Sequence, residues 1–179
     1  MPEIEIRPTV AADLPVLLHL EHSYTTQYVW QMERLIEEGQ ISIGFREVRL
    51  PRSVRVEYPR AAELTQQLWP QKQTWLTATM ESVPVGYMRL EDQFSASTVW
   101  ITDVVVKEKV RRKGIASALL LAAQHWAVQR NLRRVVLAMQ SKNHPAIQMA
   151  NKLGYEFCGF NDHYYANQDI ALFFARYAR

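Results

Sequence analysis

The chain has 179 residues, 48% hydrophobic and 22% charged, which are ordinary globular proportions and exclude a disordered or fibrous protein. A lone cysteine, Cys158, excludes an intrachain disulfide, and the length fits one domain over residues 1–179. The net charge of +3 conceals 9 basic against 14 acidic residues up to Asp103, and 12 against 4 beyond it, so the second part is expected to face something anionic.

Ile4 and Ile6 alternate with charged neighbours and predict a short strand closed by Pro8. A helix with Leu14, Leu17 and Leu18 follows, and a second is expected over residues 29–38, ended by Gly39. Strand character returns over 41–50 and continues through Val54 and Val56, and residues 60–68 predict a short helix. Residues 75–80 and 85–90 read as a hairpin around a turn at 81–84, and 98–106 as a long valine-rich strand. A strong helix is expected over 114–130, with Ile115, Leu119, Ala122 and Trp126 on one face. A strand at 135–139, a helix at 145–153 ended by Gly154, and closing strands at 155–160 and 170–177 complete an α+β domain.

Residues at the amino terminus lack the layout of a signal peptide, and the longest apolar stretch, 115–128, is too short for a bilayer. A cytoplasmic protein without membrane attachment is the expectation.

Chemistry concentrates where the strand ending in Val104, Val105 and Val106 passes through a basic run into the helix starting at Gly114. Amides in the first turn of a helix have no intrahelical partner, and the helix dipole adds positive charge there. Gly114 and Ala116 keep bulk away, and Arg111, Arg112 and Lys113 surround the spot. The segment therefore predicts a phosphate or pyrophosphate site. Neither the Gly-x-Gly-x-x-Gly fingerprint nor a P-loop is present.

Arg111-Arg112-Lys113-Gly114-Ile115-Ala116 instead resembles the Arg/Gln-x-x-Gly-x-Gly/Ala motif of the GCN5-related N-acetyltransferases (GNAT). The strand Asp103-Val104-Val105-Val106, and Asn143 and Ala146 followed by Gly154-Tyr155, match further parts of that family's pattern. Residues 160–177 also resemble, more loosely, the ending of streptothricin acetyltransferases. The resemblance implies a mixed, mostly antiparallel sheet flanked by helices and direct acetyl transfer from acetyl-CoA to a primary amine of a small molecule or peptide. It implies pantetheine along Val104 to Val106, including Val105, and pyrophosphate on the amides of Arg112, Lys113, Gly114, Ile115, Ala116 and Ser117, helped by the charge of Arg111. Asn143 would touch the pantetheine or thiol end, and its other reading is a helix N-cap. Homodimers are common in the families it resembles.

The family's usual acidic tyrosine falls on Ala150 here. Tyr155, Tyr164 and Tyr165 are substitutes, and Tyr165 is taken with Asp103 as the catalytic pair. Alternation would place Asp103 on one face with Ile101 and Val105, among apolar neighbours that suit proton removal. Its other reading is a carboxylate tied to backbone amides or an arginine, and Glu91 and Asp92 are alternative bases. His19 and His22 complete no metal set and read as surface histidines. The missing tyrosine keeps open a CoA-binding sensor without turnover. The acidic first part argues against an extended nucleic-acid face, and favours a cationic acceptor.

Overall fold

The computed structural model describes residues 3–60, 74–92 and 96–179. Its elements, in order, are β1 (Ile4–Pro8), α1 (Leu14–Leu18), β2 (Tyr24–Glu37), β3 (Gln40–Val56), β4 (Thr74–Met80), β5 (Val83–Glu91) and β6 (Thr98–Val106). They continue with α2 (Ile115–Gln129), β7 (Arg134–Gln140), α3 (His144–Lys152), β8 (Glu156–Asn161) and β9 (Ala171–Tyr177). Seven strands form one sheet in the order β1-β4-β5-β6-β7-β9-β8. Among its pairs only β6–β7 is parallel, so the sheet is mixed and mostly antiparallel as expected.

One expected helix is a strand. Within the helix expected over residues 29–38, Val29, Met32 and Ile36 do fall at helical spacing. The same stretch also alternates, and β2 pairs with β3 from Tyr24↔Val56 to Glu37↔Gln40. Gly39, at a left-handed φ of 74°, makes the tight turn between them. Trp30 and Phe45 on this hairpin pack onto the main core, and Phe45 meets Phe157 and Phe160 of β8. Pro51 lies where the β2–β3 ladder is interrupted, so no pairing bond needs its missing N–H. The helix expected at 60–68 lies outside the described residues, apart from Arg60.

The core lies between the sheet and α2, whose Ile115, Leu119, Leu120, Ala123 and Ala127 are buried against strand residues such as Leu76, Met88, Leu90, Val99 and Ile101. Each such side chain contributes about 1.5–3 kcal/mol of burial. Ile147 and Ala150 of α3 join the same cluster. On the opposite face Leu17 of α1 packs with Trp75, Tyr87 and Val105.

Candidate active site

The site begins with a defect in the sheet. β6 pairs with β5 at Leu90↔Ile101 and then at Arg89↔Asp103, so Thr102 is an extra, bulged residue. A bulge bends its strand and increases its twist. Parallel pairing with β7 runs from Thr98↔Arg134 only to Ile101↔Leu137 and stops there. Beyond the bulge β6 remains paired on its β5 side, while its other backbone edge faces a cleft of about 790 Å³. Val104, Val105 and Val106 line one wall, and Leu137, Ala138, Met139 and Gln140 of β7 line the other.

The bulge also corrects the expected arrangement of side chains. Ile101, Val104 and Val106 belong to the main core, whereas Val105 packs with Tyr87 on the opposite face. Asp103 therefore shares a face with Val105 but not with Ile101. Its carboxylate oxygens meet polar groups of Tyr58, Arg60 and Arg89.

At one end the cleft meets the start of α2. Arg112 and Gly114 have left-handed φ angles of 65° and 85°. The first backbone bond of the helix runs from the amide of Ala118 to the carbonyl of Gly114. Among the described residues no backbone partner bonds the amides of residues 112–117. A Cβ built on Gly114 would meet nothing within 4 Å, so the space before those amides is open. Arg112, Gly114, Ile115, Ala116 and Ser117 line the cleft, while Lys113 is exposed and stands outside the lining.

Arg111 lines the cleft too, but its guanidinium is engaged. It donates to the carbonyls of Val106 at 2.8 Å and Ser23 at 2.8 Å, and to that of Glu21. Arg111 thus clamps the segment before β2 onto the end of β6, and reaches an anion only through its charge.

At the other end Asp103 is buried and held from three sides. The Tyr58 hydroxyl and Arg60 Nε, at 3.1 Å, donate to its Oδ1, and Arg89 Nη2 lies 2.7 Å from Oδ2. Arg89 Nε donates to Thr102 Oγ1 at 2.8 Å, which ties the bulge into the same cluster. This is the arginine-tied reading of Asp103.

Tyr165 sits in the loop between β8 and β9 and lines the cleft, with Arg60 5.8 Å from its ring centroid. Burial pushes its hydroxyl well above the ordinary tyrosine range, so it holds its proton at neutral pH. Tyr24 lines the same end, and its hydroxyl donates to Gln140 Oε1 at 2.8 Å. Asn143 lines the cleft and also caps α3, accepting from the Ala146 amide at 3.2 Å. Ala150 is fully buried, and the Tyr155 hydroxyl is bound by Gln124 Nε2 at 2.8 Å away from the cleft.

His22 overturns its expected surface position. It lines the cleft, with Nδ1 2.5 Å from the Leu20 carbonyl and Nε2 2.9 Å from the Tyr87 hydroxyl. Burial pushes its pKa down, so it is neutral at pH 7. His19 is exposed, as expected. Sequence reasoning missed His22, Tyr24, Tyr58 and Arg89 as site residues. Arg89 carried a signal, because an arginine inside the apolar run of β5 requires a buried anion.

The sequence profile of the Acetyltransferase (GNAT) family matches residues 43–155. The chain belongs to that family. Among solved structures, this GNAT chain is similar to nourseothricin acetyltransferase, with 19% identity, a TM-score of 0.82 and coverage of 98% of this chain and 99% of that one. A Bacillus anthracis str. Ames protein assigned as a streptothricin acetyltransferase, solved in complex with acetyl coenzyme A, gives 19% identity, a TM-score of 0.75 and coverages of 98% and 97%. The Escherichia coli ribosomal-protein-S18-alanine N-acetyltransferase gives 14%, 0.69, 98% and 94%. No curated protein sequence matches the GNAT chain. Among the described residues no helix is long and apolar enough to cross a membrane.

Proposed function

We propose that this GNAT acetyltransferase moves an acetyl group from acetyl-CoA directly to a primary amine of a small cationic molecule or a peptide. The observation that carries the reading is the free edge of β6 beyond Thr102, which runs into the open amides of residues 112–117. An extended amide-bearing arm fits that edge as an added strand, and a pyrophosphate fits the amides and the open space at Gly114. Val104, Val105 and Val106 would hold the arm by their backbone. Arg112 and Lys113 would add charge, and Asn143, already a cap, would face the thiol end.

The acceptor end is lined by His22, Tyr24, Tyr58 and Tyr165, and aromatic faces suit a cationic amine. The structures similar in fold include acetyltransferases named for nourseothricin and streptothricin, which supports the same class. An ammonium must first lose a proton to the cleft water. The neutral amine then attacks the thioester carbonyl, the carbon–sulfur bond breaks, Tyr165 protonates the departing thiolate, and the surplus proton of the new amide nitrogen returns to Tyr165 through water. Asp103, balanced by Arg60 and Arg89, fixes Tyr58 and Arg60 in place at this end.

The test is thiol release from acetyl-CoA against a panel of L-lysine, spermidine, nourseothricin and alanine-initiated peptides. Turnover with at least one amine is expected, and Tyr165→Phe should lower kcat about tenfold or more while CoA affinity stays within twofold. CoA binding with no thiol released from any amine would instead establish a sensor. No CoA binding would overturn the whole reading.

A further inference from the structure

Of the three tyrosines at the acceptor end of the cleft, Tyr58 is bound to Asp103, and the hydroxyls of the other two, Tyr24 and Tyr165, are not equivalent. Tyr165 has no hydrogen-bond partner for its hydroxyl among the described residues, so that hydroxyl is free to donate. Tyr24, at the start of β2, is committed through a relay that begins at Asp169.

The Asp169 carboxylate accepts only. Oδ1 is 2.6 Å from Lys142 Nζ, and Oδ2 takes Gln140 Nε2 at 2.8 Å and Asn167 Nδ2 at 3.0 Å. An acceptor at that place fixes which way round the Gln140 amide stands, with its NH2 toward Asp169 and its oxygen toward Tyr24. Gln140 is buried, 2% exposed at the end of β7, so water cannot substitute for either partner. Its oxygen lies 2.8 Å from the Tyr24 hydroxyl and can only accept, so that hydroxyl must spend its proton there. What remains for the cleft is a pair of lone pairs. The carbonyl of Asp169 also receives the amides of Tyr164 at 3.1 Å and Tyr165 at 3.3 Å, so one residue holds both tyrosines in position.

We infer that Tyr24 is the residue that receives the acceptor amine, taking one of its N–H groups on a phenol oxygen that Gln140 and Asp169 keep from donating. The inference rests on the proposed acetyl transfer. An amine that gives an N–H to Tyr24 has its own lone pair turned away from that oxygen and available for the thioester carbon. A donating hydroxyl at the same place would bond to that lone pair and block attack. Gln140 and Asp169 act as positioning residues, and Tyr24 sorts groups that carry N–H from those that only accept.

The test uses the full chain and the fastest acceptor among L-lysine, spermidine, nourseothricin and alanine-initiated peptides. Tyr24→Phe should raise the acceptor KM about tenfold, as expected for one lost bond to a polar group, with CoA affinity by titration calorimetry within twofold. Asp169→Asn releases the Gln140 amide to turn, which lets Tyr24 donate into the cleft, and should raise the acceptor KM similarly although the hydroxyl is intact. The double variant should be no worse than Tyr24→Phe, whereas a merely structural role for Asp169 would add a further loss. A parental acceptor KM in Tyr24→Phe, or a loss confined to CoA affinity, overturns the inference, as does a parental KM in Asp169→Asn. Absence of turnover by the parent with every member of that panel counts against the proposed transfer itself, and so separates the two failures.

Discussion

A left-handed backbone angle and an open space meet at Gly114. Its φ of 85° disfavours any side chain, and the direction in which a Cβ would point is empty. Strain and exclusion of ligand are therefore separate effects, and two substitutions divide them. Gly114→Ala should cost about 1 kcal/mol of stability from the backbone angle, with modest weakening of CoA binding. Gly114→Glu should cost a similar amount of stability yet abolish CoA binding, because a carboxylate would occupy the pyrophosphate position. Thermal melts beside calorimetric titration of CoA measure both, and a folded Gly114→Glu protein that binds CoA like the parent sinks the site assignment. The Arg111-Arg112-Lys113-Gly114 motif was readable in the sequence because its chemistry is carried by consecutive residues. The face of Asp103 was misjudged because simple alternation does not foresee the bulge at Thr102, and of its partners Tyr58, Arg60 and Arg89, all from distant segments, only Arg89 carried a signal.

Among the elements, β5 lies against β6 at Gly86 with no room for a side chain. A Cβ there would lie 2.8 Å from the Val105 carbonyl oxygen, a backbone atom that cannot rotate away. Gly86→Ala should therefore destabilise the protein by about 2 kcal/mol, measured by urea unfolding. It should also weaken CoA binding, since Val105 and Val106 form the cleft wall. Stability equal to the parent would show that the strands separate freely at this point. The strands around this site were legible because each is a compact apolar run bounded by turns. β2 was not: its apolar residues satisfy helical and strand spacing alike, and the choice is made by a partner, β3, beyond the turn. Propensity gives no account of a long ribbon whose stability comes from cross-strand pairs and from the seat of Phe45 on β8.

For the molecule as a whole, acid sensitivity has an identifiable source near the amino terminus. Arg7 holds the buried Asp13 carboxylate with two bonds of 2.7 and 2.8 Å, and the Val10 amide adds a third at 3.0 Å. Chiefly through the bonds from Arg7, the Asp13 pKa lies below the ordinary carboxylate value. A lowered folded pKa means that this stability is present near neutral pH and is lost as pH falls through the folded value. Asp13→Asn should therefore be less stable by about 1–3 kcal/mol at pH 7, and the gap from the parent should shrink at about pH 3. Urea melts at the two pH values read this, and an unchanged gap would show that the pair contributes no proton linkage.

The single extra residue at Thr102 sets how this protein tolerates change in chain length. Deleting it would leave Ile101 and Asp103 opposite Leu90 and Arg89 as they are now, so every side chain of β6 would keep its face. The strand would lose its bend, and its free edge could zip onto β7 past Leu137. The sheet would gain rungs and the cleft would close. Substitutions along β6 are thus buffered by a wall that binds through its backbone, whereas a one-codon deletion at Thr102 would trade a binding slot for an uninterrupted sheet.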